Sequence, residues 1–144
     1  MAETSKLSTV EKVLFLKKAD IFARASIEQL GRIALLTQEV RFATGETIYR
    51  AGEAAEAIYI VLKGRATVER YGKLINEIGE NEALGVLVAL DDAVPALHTV
   101  VAKEPIHALK LDVRDFQDVL SLDFELVKAV FRAIAQRLKR EPEH

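Results

Sequence analysis

Glycine sets the frame of this chain. From Gly45 to Gly79 a glycine recurs every 7 to 12 residues, and the segments between are short, alternating and rich in β-branched residues. Val40 and Phe42 alternate with polar neighbours before Gly45, and Thr47-Ile48-Tyr49 precedes Gly52. Ala57-Ile58-Tyr59-Ile60-Val61-Leu62 runs up to Gly64. Ala66, Val68, Leu74 and Ile78 continue the period of two on either side of Tyr71-Gly72. Side chains alternate across a sheet with this period, and glycine supplies the positive φ that tight turns need. Short strands punctuated this closely fold into an antiparallel barrel or sandwich. A further strand pair, His98 to Ala102 and His107 to Leu111, follows Pro95, with Pro105 at its turn.

The two ends of the chain follow a helical period instead. Ser8 with Glu11 and Ser26 with Gln29 have the spacing of capping boxes, in which each side chain satisfies a backbone N–H of the other residue. Val10, Val13, Leu14 and Leu16 follow the first box, and Ile27, Leu30, Ile33, Ala34 and Leu36 the second. A short turn, Lys17 to Phe22, joins the two helices. From Asp112 to Arg140 the helical period returns, with Asp112 or Asp115 as the expected cap. Leu120, Phe124, Val127, Phe131, Ile134 and Leu138 form a heptad-like seam, and Leu126, Val130 and Ala133 a second stripe. Either the seam packs on the barrel, or one face packs there and the other on a second copy of the chain. Arg137, Lys139 and Arg140 suit the negative end of the helix dipole, and Pro142 ends the helix.

Composition narrows the class of function. A chain of 144 residues with half its residues apolar can bury a real core as one domain. The net charge of −2 and pI near 6.0 argue against bulk attraction to nucleic acid or to an anionic membrane. With no cysteine, disulfides and thiolate chemistry are excluded. His98, His107 and His144 lack metal-ligand spacing, and no phosphate-loop or dinucleotide-binding motif is present. Ser5, Ser8, Ser26 and Ser121 lack the surroundings of a nucleophile, so no catalytic residue, metal or cofactor is expected. The N-terminus MAETSKLSTVEK has no apolar signal core. The longest apolar run, Ala83 to Leu90, is too short to span a bilayer. A cytoplasmic protein without direct membrane insertion is expected.

The order of these segments resembles the cyclic-nucleotide-binding domain family, the effector domain of catabolite-activator-like regulators. Phe42-x-x-Gly45-Glu46-x-Ile48-Tyr49-x-x-Gly52-Glu53 and Ile58-Tyr59-Ile60-Val61-x-x-Gly64-x-x-x-Val68 are similar to the family's β-roll signature. Ile78-Gly79 to Gly85 is similar to its phosphate-cassette opening. Thr99-Val100-Val101-Ala102, Ala108 to Asp112 and Asp115-Phe116 resemble the strands and helix that follow. The resemblance covers Leu14 to Arg140. It implies an α+β fold: a single domain, 1–144, with N-terminal helices over 8–38, an eight-stranded antiparallel, jelly-roll-like β-roll over 39–111 and C-terminal helices over 112–140.

The resemblance also implies where a ligand would sit, and there the chain departs from it. In the family a glutamate directly after the cassette glycine holds the ribose 2′-hydroxyl. An arginine after the cassette proline pairs with the cyclic phosphate. Here those positions are Val86 and Ala96. A buried phosphate needs a cation, best a guanidinium with two parallel donors, and breaking such a pair costs roughly 3–5 kcal/mol. By family position, the degenerate pocket comprises Gly85, Val86, Leu87, Ala96, Leu97 and His98. His98 could face the pocket from two residues beyond the missing arginine, and Arg65, Arg70 and Lys73 are other candidate cations. Asp91 and Asp92 would oppose an anion.

Two functions fit. One is a regulatory or interaction module that has lost standard cAMP and cGMP recognition and dimerises through Leu120, Val127, Phe131, Ile134 and Leu138, or docks on a parent protein or partner. The other is a small-molecule sensor whose pocket, lined by Val86, Leu87, Val88, Ala96 and Leu97, is re-specified for an apolar ligand or a different nucleotide. An open cavity would favour the second, and a filled one the first. Nucleic acid is not an expected partner, because His144 leaves no residues for a helix-turn-helix after the long helix.

Overall fold

The computed structural model describes residues 6–86, 89 and 96–140. Helix α1 spans Thr9–Lys18, a 3-10 turn Asp20–Phe22 and helix α2 Ile27–Ala34. Both expected capping boxes form: Ser8 Oγ accepts from Glu11 N while Glu11 accepts from Ser8 N, and Ser26 and Gln29 do the same. Eight strands follow: β1 Gln38–Phe42, β2 Thr47–Tyr49, β3 Ala57–Lys63, β4 Ala66–Arg70, β5 Lys73–Ile78, β6 Ala83–Leu84, β7 Thr99–Ala102 and β8 Ile106–Asp112. Helices α3 (Val113–Ser121) and α4 (Phe124–Arg140) end the described chain. None of its helices is long and apolar enough to cross a membrane.

The strands form two antiparallel four-stranded sheets, in the orders β1-β8-β3-β6 and β2-β7-β4-β5. Strand β3 shows how they are layered. Ile58, Ile60 and Leu62 face the helices, where they meet Leu16, Phe22, Leu30, Phe116 and Leu126. Val61 faces the interior between the sheets with Val68, Val100, Ile106 and Ala108. A strand apolar on both faces is buried on both, so β3 and its neighbour β8 are the spine of the domain. Phe22 and Phe116 close the helical layer edge to face, with ring centroids 6.2 Å apart. The turn after β3 leaves no room for a side chain: at Gly64 (φ +105°) a Cβ would lie 2.3 Å from Pro105 O.

The C-terminal segment differs from the continuous helical face expected of it. The chain breaks at Leu122-Asp123, and Asp123, not Asp115, caps the long helix: its Oδ1 accepts from Leu126 N at 3.0 Å. Asp112 stands at the N-cap of α3 but makes no side-chain capping bond. The other Asp123 oxygen takes Gln29 Nε2 at 3.0 Å and Arg32 Nη2 at 2.9 Å, tying the break to α2. The Leu126 N–H, with Gln29 and Arg32, holds the Asp123 carboxyl below its ordinary range.

Leu126, Ala129, Val130 and Ala133 of α4 are buried, while Phe124 and Phe131 are 70% and 57% exposed. Val127 lies between the two faces. Leu120, which belongs to α3, and Ile134 are half-buried and lean on the core. The backbone of Leu138 belongs to α4, and its side chain lies outside the described residues.

Candidate functional site

A cavity of about 200 Å³ opens between β6, the Gly85-Val86 segment that follows it and the second sheet. Gly85, Val86, Ala96, Leu97 and His98 all line it, so the structure brings together every described member of the degenerate pocket. Leu87 lies outside the described residues, as do Val88, Asp91, Asp92 and Pro95. The two positions that the resemblance marks for charge carry apolar side chains that are almost wholly buried, Val86 at 3% exposure and Ala96 at 6%. Val86 belongs at the same time to the cluster under α4, beside Leu126 and Val130. Backbone bonds hold Ala96 in place: its N–H donates to Glu53 O at 3.0 Å, and its carbonyl accepts from Gly52 N at 2.8 Å. Leu97 is 56% exposed and forms the rim, and His98 is half-buried beside it.

Gly85 has a reason to be glycine within the protein itself. Its φ is +85°, and a Cβ there would lie 2.3 Å from the Tyr49 hydroxyl. That hydroxyl is 2.5 Å from Ala57 O and 3.1 Å from Leu84 O. It therefore joins β2 to β3 and β6 at the floor of the cavity. Burial, with the neighbouring Tyr59, pushes the Tyr49 phenol well above its ordinary pKa, so the group stays a neutral donor. Whatever its place in the family's cassette, Gly85 is held to glycine by the Tyr49 hydroxyl.

The other cations considered lie elsewhere. Arg65 Nε and Lys103 Nζ both bind the Glu77 carboxylate, at 3.1 and 2.7 Å, and hold it below its ordinary pKa, Lys103 most strongly. Arg70 lies over the Tyr71 ring at the hairpin tip. Neither these residues nor Lys73 are among the described residues lining the cavity. His107 pairs with Glu39 at 2.8 Å on the first sheet.

The cation that does reach the cavity is Arg137 of α4. Its Nε donates to Asp20 Oδ2 at 2.9 Å, its Nη2 donates to the same oxygen, and Nη2 also donates to Ala83 O at 3.2 Å. In the sequence, Arg137 stands out only as a charge suited to the helix dipole. A signal was present: Leu126, Val130, Ala133 and Arg137 are spaced four, three and four, so Arg137 ends the buried stripe. Asp20 gave none, since it lies 117 positions away.

A profile of the cyclic nucleotide-binding domain matches residues 39–123, more than half of the chain. The N-terminal domain of a transcriptional regulator from Streptomyces coelicolor is 27% identical with a TM-score of 0.74, covering 88% of this chain and 93% of that one. A mutant regulatory subunit of a cAMP-independent protein kinase A from Trypanosoma brucei, bound to cAMP in its A site, is similar in fold. It is 24% identical with a TM-score of 0.77, over 93% of this chain and 48% of that one. An uncharacterized NTE family protein from Mycobacterium tuberculosis is 26% identical over 87% of this chain, which spans 21% of its length. A CRP-like cAMP-activated global transcriptional regulator from the same species is 26% identical over 84% of this chain, which spans 58% of it.

Proposed function

This chain belongs to the cyclic nucleotide-binding domain family, and from that premise we propose that it is a regulatory binding module that does not take up cAMP or cGMP by the family's standard contacts. The observation that carries the proposal is the burial of Val86 and Ala96 at the two charge-bearing positions. A cyclic phosphate seated beside Ala96 would find no cation at the family's position, and the guanidinium that does line the cavity, Arg137, is already engaged by Asp20; an unpaired buried charge is a severe penalty. The role is binding and not catalysis, in keeping with its resemblance to a transcriptional regulator and a kinase regulatory subunit. The test is calorimetric titration of the purified chain with cAMP and cGMP up to millimolar ligand. Absence of heat is the expected result, and micromolar binding would refute the proposal.

The open cavity favours a second, compatible reading, that of a sensor with a re-specified pocket. A collapsed module would have filled this space, yet about 200 Å³ remains, walled mainly by apolar side chains.

The module also has a surface for assembly. Phe124 and Phe131 are the residues of the α4 seam that stand exposed, with Val127 half-buried between them; the proposed dimer face comprises Leu120 of α3 with Val127, Phe131, Ile134 and Leu138 of α4. Because Ile134 leans on the core, Val127→Gln with Phe131→Gln is the cleaner test. A monomer by sedimentation is expected of the double variant, against a dimer for the parent chain. As the chain spans about a fifth of its NTE family relative, a place as an appended regulatory domain in a longer protein is equally consistent with this role.

A further inference from the structure

The guanidinium in the cavity wall is only partly used. Arg137 directs both Nε and Nη2 at a single carboxylate oxygen, Asp20 Oδ2, and among the described residues Nη1 has no hydrogen-bond partner. Asp20 is equally ill-matched, for its Oδ1 is buried without a partner. Guanidinium and carboxylate pair best when two nitrogens meet two oxygens in parallel. Here the pair is incomplete on both sides, and a second carboxylate offered to Arg137 would find donors ready.

We propose that the cavity takes a small organic monocarboxylate, an apolar body of one ring or a short alkyl chain, whose anionic head pairs with Arg137 in competition with Asp20. The inference rests on the reading of the cavity as a re-specified pocket. Size sets the body: the space is about 200 Å³, and an engineered apolar cavity of about 150 Å³ accepts benzene. The wall sets its polarity, because Val68, Ile78, Leu84 and Val100 offer no partner to sugar hydroxyls. Charge sets the head. Once released by Asp20, Arg137 supplies a single positive charge, which matches a monoanion, and His98 is the only other basic side chain among the described lining residues.

The competition links the pocket to the helices. Asp20 lies in the 3-10 turn against which α4 packs, so a ligand that draws Arg137 away weakens the tether between α4 and that turn. By reciprocity, removing the tether strengthens the ligand.

The experiment is calorimetric titration of the whole chain with benzoate and hexanoate, against the neutral benzamide and hexanamide. Wild type is expected to bind the carboxylates about tenfold or more tighter than the amides, the value of a charge-assisted hydrogen bond. Asp20→Asn is expected to tighten the carboxylates and leave the amides unchanged. Arg137→Gln is expected to abolish the preference, and Val100→Phe, which fills the cavity, to abolish all binding. If Arg137→Gln does not fold, Asp20→Asn decides alone, since unfolding cannot tighten a ligand. Equal binding of amides and carboxylates to wild type would overturn the anionic head and leave the apolar pocket standing. No binding of any of the four would remove the pocket reading as well.

Discussion

The two sheets of this domain carry different obligations. The first, β1-β8-β3-β6, is covered by helices on its outer face and by the second sheet on its inner one, and Ile58, Ile60, Leu109 and Leu111 are fully buried. The second, β2-β7-β4-β5, borders the cavity through Tyr49, Val68 and Val100, and its β5 strand exposes Leu74 and Ile75. The first sheet needs only apolar volume in the right period, which many sequences supply. The pocket side needs particular charges at particular positions, and there Val86 and Ala96 stand instead. A scaffold of this kind can lose its family's ligand chemistry without losing its fold, because apolar residues such as Val86 serve the pocket wall and the helical cluster alike.

The largest expected effect sharpens that contrast. Phe116→Ala, in the helical layer, should cost about 3–5 kcal/mol in urea denaturation. Val100→Ala should cost less than half as much, because valine loses only two methyl groups and its side chain already borders the cavity. Equal losses at the two sites would mean that the cavity wall carries more packing energy per atom than the core, against this account.

A smaller effect is expected at the seam between scaffold and pocket. Gly85→Ala combines a positive φ with a clash on the Tyr49 hydroxyl, and should destabilise by about 1–3 kcal/mol. Adding Tyr49→Phe removes the clashing oxygen and should return part of that loss. The reference is Tyr49→Phe alone, which loses the hydroxyl's two hydrogen bonds; an equal cost of Gly85→Ala in both backgrounds would assign it to backbone strain and the remaining ring carbon, 2.9 Å away.

Asp123 offers the smallest effect, on the helix side. Its Oδ1 caps α4, and Asp123→Ala should cost about 1 kcal/mol at neutral pH. Its folded pKa is depressed, so the stability it contributes is present above its unfolded value of about 3.9. That contribution fades as pH falls through the lower folded value. Wild type and variant should therefore converge in strong acid, as followed by denaturation at stepped pH. A difference that persists below both values would locate the effect outside the carboxylate.

What could be read from the sequence divides along the same line. The two capping boxes, the turns at Gly64 and Gly72 and the alternation of β3 are local, and each is set by residues within a few positions. Strand β6 escaped notice because Ala83-Leu84 is only two residues inside a longer apolar run. The break at Asp123 was hidden because the apolar spacing from Leu120 to Phe124 continues across it. At the site, the missing charges at Val86 and Ala96 were legible by position in the family pattern. The Tyr49 contact that confines Gly85 was not, nor the pairing of Arg137 with Asp20. Both join residues far apart in the chain, and only packing brings them together.

The central claim is that the fold persists while the charges for cyclic nucleotides are gone, and one measurement tests it directly. Calorimetric titration of cAMP into wild type and into a Val86→Glu, Ala96→Arg variant compares the pocket as it stands with one given both missing groups. The account predicts no binding to wild type and a gain of about a hundredfold or more in the variant, the scale of restoring one buried ion pair. Tight binding to wild type, or a folded variant that still ignores cAMP, would contradict it.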